Sequence, residues 1–176
     1  MDELISPDST FSVESFLSKV NNIYVMLCTS MMTNNLKRVD HFIGDNLYNR
    51  LQSELEELND NNLIHMYDEL NVKNSYIDKV EILDDKYIID VVLTSRYLSY
   101  YIDKTTKDYV KGDREYRLEK ANYLRFTKKR ITKNLGIVQK CPTCGASMDL
   151  NNTGICPFCK KVFSQEDYDW ILEEMR

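Results

Sequence analysis

Two Cys-x-x-Cys pairs near the end of the chain constrain its fold more than any other feature. Cys141 and Cys144 form the first pair, Cys156 and Cys159 form the second, and eleven residues separate them. Two such steps facing each other place four thiolates in a tetrahedron, which is the arrangement that structural zinc prefers. Gly145, directly after the first pair, can adopt the positive φ that closes such a step. Because the protein supplies all four ligands, the sequence predicts one structural zinc ion in a small zinc ribbon.

Three other uses of these cysteines compete with zinc. Iron in a rubredoxin-like site would use the same four sulfurs, so that alternative stays open. Disulfides would need an oxidising compartment, and the N-terminus has no pattern typical of a secretory signal. A redox dithiol usually has a single Cys-x-x-Cys step at the start of a helix. Zinc is therefore the metal that we predict.

The composition indicates a globular protein that contains long regular elements. The 176 residues are 43% hydrophobic and 29% charged, with five glycines and three prolines. The length allows one domain of ordinary size plus a small appendage. The net charge of −5 gives no overall attraction to nucleic acid or to an anionic membrane. The longest apolar run, Ile23 to Cys28, is far shorter than the roughly 20 residues that span a bilayer. We therefore expect a soluble, cytoplasmic protein.

The first third of the chain has the apolar spacing of α-helices. One apolar stripe runs from Val13 to Met31, and Ser12 is a natural N-cap. A short second helix is predicted with Leu36 to Ile43 turned inward. A third helix, capped by Asp45, carries a stripe from Leu47 to Leu58. We therefore expect three helices.

Beyond Leu63 the apolar period changes to that of β-strands. The sequence between these strands contains turn-forming acidic and glycine residues. Strands are predicted over Tyr76 to Ile82, Lys86 to Ile102 and Arg114 to Ile131, with turns at Asp84-Asp85, Asp103 to Lys107 and Val110 to Asp113. Helices followed by an antiparallel meander indicate an α+β fold, in which the helices pack on one face of a curved sheet.

One tract of basic residues reverses the negative charge of the chain. Between Tyr123 and Lys140 there are six basic residues and no acidic ones. They are Arg125, Lys128, Lys129, Arg130, Lys133 and Lys140. The tract is either a solvated strand end and linker, or a contact surface for phosphate on lipid headgroups or nucleic acid.

The same tract leads into the predicted domain junction at residues 134–136. We divide the chain into a loose lead-in (1–10), a main domain (11–135) and a zinc ribbon with a C-terminal segment (136–176). That last segment contains Trp170, the single tryptophan of the chain. We expect its ring to cover apolar surface on the ribbon or on the main domain.

Several short motifs, taken in order, match a known family. They are F-x-x-x-V-x-x-I-Y-V-M-L at 16–27, D-N-L-Y-N-R-L at 45–51, V-K-G-D-R-E-Y at 110–116, the Cys-Pro-x-Cys ribbon and Tyr168-Asp-Trp170. The chain resembles bacterial relatives of the C-terminal domain of mitochondrial import inner-membrane translocase subunit 44. More exactly, it is similar to the bacterial branch that carries an appended C-terminal zinc ribbon. The likeness covers roughly Phe11 to Trp170.

This resemblance implies a cystatin-like cone, also called nuclear-transport-factor-two-like, and a transport-associated role. The mitochondrial relative tethers the import motor at the inner membrane and contacts anionic lipid. The present sequence lacks the region that binds the motor chaperone and has a ribbon that the relative lacks, so the tether role is not carried over. A peripheral position at the inner face of a membrane is compatible with the resemblance.

Cone folds also include isomerases and hydratases, which use an acid or a histidine in an apolar cavity. The candidates here are Asp90, Glu119, His41 and His65. The two histidines have no partner carboxylate or hydroxyl at a recognisable spacing, and the alternation around Asp90 favours a solvent-facing strand position. We therefore predict a protein that is not an enzyme: a binding or adaptor module for a protein, a peptide or a lipid headgroup surface. Two alternatives remain, a nucleic-acid-binding protein that uses residues 125–140 and a small-molecule-binding or isomerase-like cone.

Overall fold

The computed structural model describes residues 11–129, 138–140, 145–149, 158–159 and 170–176. In chain order its elements are α1 (Val13–Met32), a 3₁₀ helix (Leu36–Arg38), α2 (Asp45–Asp60), β1 (Leu63–Ile82), β2 (Lys86–Asp103), β3 (Tyr109–Gly112), β4 (Leu118–Lys129), β5 (Val138–Lys140), β6 (Ser147–Asp149) and β7 (Ile171–Met175). Helices followed by antiparallel strands confirm the predicted α+β class.

Helix α1 forms as the sequence predicts. The Ser12 hydroxyl accepts a hydrogen bond from the Ser15 backbone N–H at 3.3 Å, which satisfies one free donor of the first turn. The helix stops where Asn34 adopts a left-handed φ of 52°. Its buried apolar stripe consists of Phe16, Val20, Ile23, Tyr24, Leu27, Cys28 and Met31.

The prediction of three helices is wrong at the short second helix. Residues 36–38 form a single 3₁₀ turn instead of an α-helix. The Val39 N–H donates to the carbonyl of Leu36, and the Phe42 N–H donates to the carbonyl of Val39. These i to i+3 hydrogen bonds tighten the chain into successive turns. The side chains of Leu36, Val39 and Ile43 are nevertheless buried, as predicted.

Helix α2 is capped differently from the prediction. Gly44 is its N-cap, with extended backbone angles, and no side chain caps the helix. Asp45 instead occupies the first turn, where the helix dipole favours a negative charge. The predicted stripe is present, with Leu47, Leu51 and Leu55 buried.

The main sheet is antiparallel and has the order β1-β2-β4-β7, with β3 also pairing with β2. Strand β1 begins at Leu63, thirteen residues before the predicted start at Tyr76. Its pairing with β2 shifts register at three points, between residues 68 and 71, 72 and 74, and 77 and 79. Each shift inserts extra residues and interrupts the two-residue alternation, which is why the sequence pattern did not reveal the first part of the strand.

Strand β3 lies where a turn was predicted. Gly112 pairs with Tyr100 on β2 at a φ of 108°, and a Cβ there would lie 2.5 Å from the Tyr100 Cα. Glycine is therefore required at this contact. The carboxylate of Asp113 then accepts hydrogen bonds from the backbone N–H groups of Glu115 and Tyr116. This turn explains why β4 begins at Leu118 rather than at the predicted Arg114.

The two helices pack on one face of the sheet, which we call the inner face. The sheet contributes to this core the buried side chains Ile89, Val91, Leu93, Leu124, Phe126 and Leu172. One closed polar network crosses it. The Tyr24 hydroxyl lies 2.8 Å from the Ser95 hydroxyl, and the Asn122 amide donates to Ser95 at 3.1 Å and to the Leu93 carbonyl at 3.2 Å.

The C-terminal residues complete the main sheet. Strand β7 pairs with β4, and the Leu172 backbone exchanges hydrogen bonds with Phe42 and Gly44. The Trp170 ring lies 5.1 Å from the Phe16 ring, centroid to centroid, in an edge-to-face contact. Trp170 therefore covers the main domain, one of the two surfaces predicted for it. The proposed ribbon unit remains a prediction, because most of residues 136–169 lie outside the described residues.

Candidate binding site on the outer face of the sheet

The face of the sheet opposite the helices, which we call the outer face, carries two exposed tyrosines, one on each side of strand β2. Val91 and Leu93 belong to the inner core, so the intervening Val92 points outward. Val92 pairs with Tyr76 on one neighbouring strand and with Tyr123 on the other. The two tyrosines are 51% and 58% exposed, whereas Val92 between them is 7% exposed. The three residues form an aromatic row with an apolar floor, which we call the tyrosine row.

An ion-pair row lies next to the tyrosine row. The Arg125 guanidinium donates two hydrogen bonds to the Asp90 carboxylate, at 2.8 and 2.9 Å. It also lies 4.0 Å from the Glu174 carboxylate on β7. The hydrogen bond from Arg125 lowers the pKa of Asp90 below its ordinary value. Arg125 and Asp90 therefore hold each other in fixed positions across two strands.

The outer face also has an open cavity of about 270 Å³, which is lined by the ion-pair row and by Val92 and Tyr123 of the tyrosine row. Asp78 reaches it because the register shift between Ile77 and Lys79 turns an additional residue toward the outer face. Among the described residues, Asp78 has no ion-pair partner, in contrast to Asp90. The cavity is lined by Asp78, Asp90, Val91, Val92, Tyr123, Leu124, Arg125, Glu174 and Arg176.

The sequence model of one protein family, the Tim44-like domain, matches residues 1–136. The chain belongs to the Tim44-like domain family. The family is associated with transport, and its domains are generally non-catalytic. The predicted resemblance is thus confirmed at the level of the family, while the bacterial branch with an appended zinc ribbon stays a prediction.

Among solved structures, this Tim44-like domain is similar to the "Crystal structure of intermembrane space region of chloroplast protein ARC6". The two chains share 6% identity, with a TM-score of 0.51, over 94% of this chain and 95% of the other. At this identity the likeness shows a common fold, and it supports the curved α+β architecture. No curated protein sequence matches the chain. Neither helix of the described part of the chain is long and apolar enough to cross a membrane.

The Tim44-like fold separates the four candidate catalytic residues. Asp90 is bound to Arg125, and Glu119 pairs with Lys73 at 2.9 Å on the surface. His41 is near Asp40 in the turn before α2, and its side chain is 44% exposed. These three groups therefore lie in different places, and none of them faces the inner core.

His65, the fourth candidate, lies on the inner-face side of β1 and has a partner that the sequence analysis missed. Its Nε2 atom is 3.0 Å from the Ser99 hydroxyl, and its ring stacks on Tyr101 at 4.4 Å and contacts Tyr67. Burial, with a smaller contribution from Lys120, lowers the pKa of His65 to about 4. The pairing of β1 with β2 brings His65 close to Ser99. The sequence could have revealed this contact only if β1 had been predicted to start at Leu63.

The predicted basic tract is described in part. Arg125 lies on the outer face, where Asp90 and Glu174 compensate its charge. Lys128 lies near the end of β4, opposite Tyr87. The other predicted contact residues, Lys129, Arg130, Lys133 and Lys140, have side chains outside the described residues. The described part thus offers less free positive charge than the sequence suggested.

Three of the four predicted zinc ligands, Cys141, Cys144 and Cys156, lie outside the described residues, and Cys159 lies in a turn, partly buried. The flanking structure fits a metal knuckle. Strands β5 and β6 pair as a hairpin, and the first Cys-x-x-Cys falls between them. Gly145 has the expected positive φ, at 71°. Four thiolates at this spacing suit zinc, so the zinc site stays a prediction with compatible surroundings.

Proposed function

We propose that this Tim44-like domain is a non-catalytic binding or adaptor module that contacts a protein or peptide through the outer face of its sheet. The observation that carries the proposal is the tyrosine row, in which two half-exposed aromatic side chains stand on the sheet and one of them, Tyr123, lines an open cavity. Tyrosine is enriched where proteins bind one another, because it buries a large area at a low cost in conformational entropy.

The chemistry of the described side chains supports binding rather than catalysis. Asp90 and Glu119 each have a cationic partner, so neither is a free general base. His65 has a hydroxyl partner, but no described carboxylate orients its second ring nitrogen. These arrangements disfavour the isomerase-like alternative, in which a carboxylate would lie inside the cone.

A comparison of two tyrosine pairs tests the proposal. In the test variant, Tyr76→Ser and Tyr123→Ser remove the tyrosine row. In the matched control, Tyr109→Ser and Tyr116→Ser remove two other exposed tyrosines at the far end of the sheet. Tagged full-length chains would be used to recover partners from native lysate for quantitative mass spectrometry. We expect a partner that the wild type and the control retain and that the test variant loses.

The transport-associated role requires a second measurement. The same three proteins are floated with vesicles containing 30% anionic lipid and with neutral vesicles. Anionic-vesicle binding lost by the test variant would place the outer face against an anionic lipid headgroup surface. Equal partner recovery by all three proteins, with no vesicle binding, would refute a role for the outer face.

We also propose that the C-terminal cysteines hold one structural zinc ion that folds the ribbon. In such small units the free energy of metal binding becomes free energy of folding. Cys156→Ser should release zinc, measured by elemental analysis, and should leave the helical circular dichroism signal unchanged. Cys28→Ser is the control, since Cys28 lies in the α1 core. Full zinc retention by Cys156→Ser, iron in place of zinc, or disulfides found by mass spectrometry would each refute the site.

A further inference from the structure

One of the charged side chains that line the outer-face cavity has no ion-pair partner among the described residues. Its lining contains three carboxylates and two guanidinium groups. Arg125 is held by Asp90, and Arg176 donates to Glu174 at 2.7 Å. Asp78 is the remaining carboxylate, and it has no ion-pair partner among the described residues. The Asp78 carboxylate is therefore available to a ligand, whereas the two arginine side chains are already paired with acidic ones. This arrangement favours a cationic ligand over an anionic one.

Val92 and Tyr123 of the tyrosine row line the cavity beside this carboxylate, and Tyr76 lies on the other side of Val92. Neighbouring strands lie about 4.8 Å apart, so the backbones of Tyr76 and Tyr123, on either side of β2, are about 10 Å apart. Val92 forms an apolar floor between them. A flat cation lying over Val92 would lie beside the Tyr123 ring, which attracts cations, and beside the Asp78 carboxylate, which accepts hydrogen bonds. No hydrogen bond between described residues occupies the two tyrosine hydroxyls.

The available space suits one long side chain. A cavity of 270 Å³ corresponds to about nine water molecules at roughly 30 Å³ each, which is enough for the seven non-hydrogen atoms of an arginine side chain. Guanidinium is planar, donates two parallel hydrogen bonds to a carboxylate and stacks on aromatic rings. A lysine ammonium is more strongly hydrated and lacks the planar geometry.

We propose that the outer-face cavity binds an arginine side chain of a partner peptide, over Val92 and between the Tyr123 ring and the Asp78 carboxylate. This inference rests on the proposed function and gives its partner a chemistry: an extended segment that contains an exposed arginine. The overall charge of −5 favours the approach of such a basic segment.

The test is an NMR titration of the ¹⁵N-labelled full-length chain. One probe is an unstructured Gly/Ser peptide with a single arginine, and the other carries citrulline, the neutral isostere, at the same place. We expect the arginine peptide to shift the amide signals of residues 76–78, 90–92 and 123–125. The citrulline peptide should bind at least about tenfold more weakly, because it lacks the charge-assisted hydrogen bonds.

Two matched pairs of variants localise the effect. Asp78→Asn should weaken arginine-peptide binding about tenfold, whereas Asp84→Asn, which removes an equivalent charge in the β1–β2 turn, should not. Tyr123→Leu should weaken it severalfold, whereas Tyr109→Leu should not. Equal binding of both peptides, or shifts confined to the acidic surface of α2, would overturn the proposal. If Asp78→Asn still recovers the partner of the wild type while arginine binding is lost, the adaptor function stands and the arginine contact is not its basis.

Discussion

The inner and outer faces of the sheet are built from alternate residues of the same strands, yet they are organised in opposite ways. On β4, Phe126 on the inner side is 1% exposed, and Tyr123 on the outer side is 58% exposed. The inner face combines aliphatic and aromatic packing with one closed polar network. The outer face carries ion pairs and exposed tyrosines. Because the buried contacts lie on the inner face, that face determines the fold, and side chains on the outer face can change without disturbing the core.

Substitutions of one inner-face and one outer-face residue of β4 should differ most in their effect on stability. Phe126→Ala should lower the free energy of unfolding by about 3–5 kcal/mol, because it leaves a cavity beside Phe16. In the wild type the centroids of the Phe16 and Phe126 rings are 5.6 Å apart. Tyr123→Ala, three residues earlier on the same strand, should lower it by less than about 1 kcal/mol. Urea denaturation of both variants measures the difference. Equal losses would show that the outer face also stabilises the fold.

The polar network of the inner face should give the next largest effect. Ser95→Ala removes the partner of the Tyr24 hydroxyl and one acceptor of the Asn122 amide, so it should lower the free energy of unfolding by about 1–3 kcal/mol. Adding Tyr24→Phe should recover part of this loss, because the unpaired hydroxyl disappears as well. Ser53→Ala, on the exposed side of α2, is the control and should cost almost nothing. Urea denaturation of these three variants and of Tyr24→Phe alone gives all four free energies of unfolding, and additivity of the two core changes would contradict the network.

The two faces also differ in how well the sequence predicted them. The α1 stripe and strand β2 were predicted closely, because long, regular apolar patterns have few alternatives. The early part of β1 and strand β3 were missed, since bulges break the alternation and Gly112 resembles a turn residue. Of the candidate site, Asp90 and Arg125 were named separately, but their ion pair depends on cross-strand register. Asp78 and the tyrosine row were not predicted as site residues. Asp78 reaches the cavity through a β-bulge, and the tyrosine row forms only when three strands pair, so neither is visible in a sequence pattern.

His65 should make stability depend on pH from the inner-face side of the sheet. Its folded pKa of about 4 lies below the ordinary value of 6.5, so the unfolded chain binds the proton more readily between those values. Stability that is fully present above pH 6.5 is therefore lost as the pH falls toward 4. His65→Gln should be less stable than the wild type at pH 7, and the gap should narrow with falling pH. Thermal unfolding from pH 7.5 to 4 measures it.

The control for this pH effect is His41→Gln, because the His41 side chain is exposed. This variant should follow the wild-type curve at every pH. NMR titration of the His65 ring protons checks the pKa itself, independently of stability. A His65 midpoint near 6.5 would show that its stacking on Tyr101 does not shield the ring from water.

The smallest expected effect on stability concerns the outer-face ion pair. Asp90→Asn should change the free energy of unfolding by about 1 kcal/mol or less, because Arg125 remains 40% exposed and solvent weakens the pair. Glu119→Gln, which breaks the exposed pair with Lys73, is the matched control for stability. Both values come from urea denaturation. A loss of several kcal/mol for Asp90→Asn would mean that the outer face contributes to folding after all.

The same variant separates the two binding hypotheses, because it releases the positive charge of Arg125. If the basic tract binds nucleic acid, Asp90→Asn should increase retention on single-stranded RNA or DNA at 50 mM salt, and the increase should vanish at higher salt. Combining Lys128→Glu with Arg130→Glu should then abolish retention. If the cavity binds arginine, Asp90→Asn should weaken that binding through like-charge repulsion from the Arg125 guanidinium, but should not abolish it, since Asp78 is unchanged. The two hypotheses thus predict opposite changes on their own ligands from a single substitution that leaves the inner face intact.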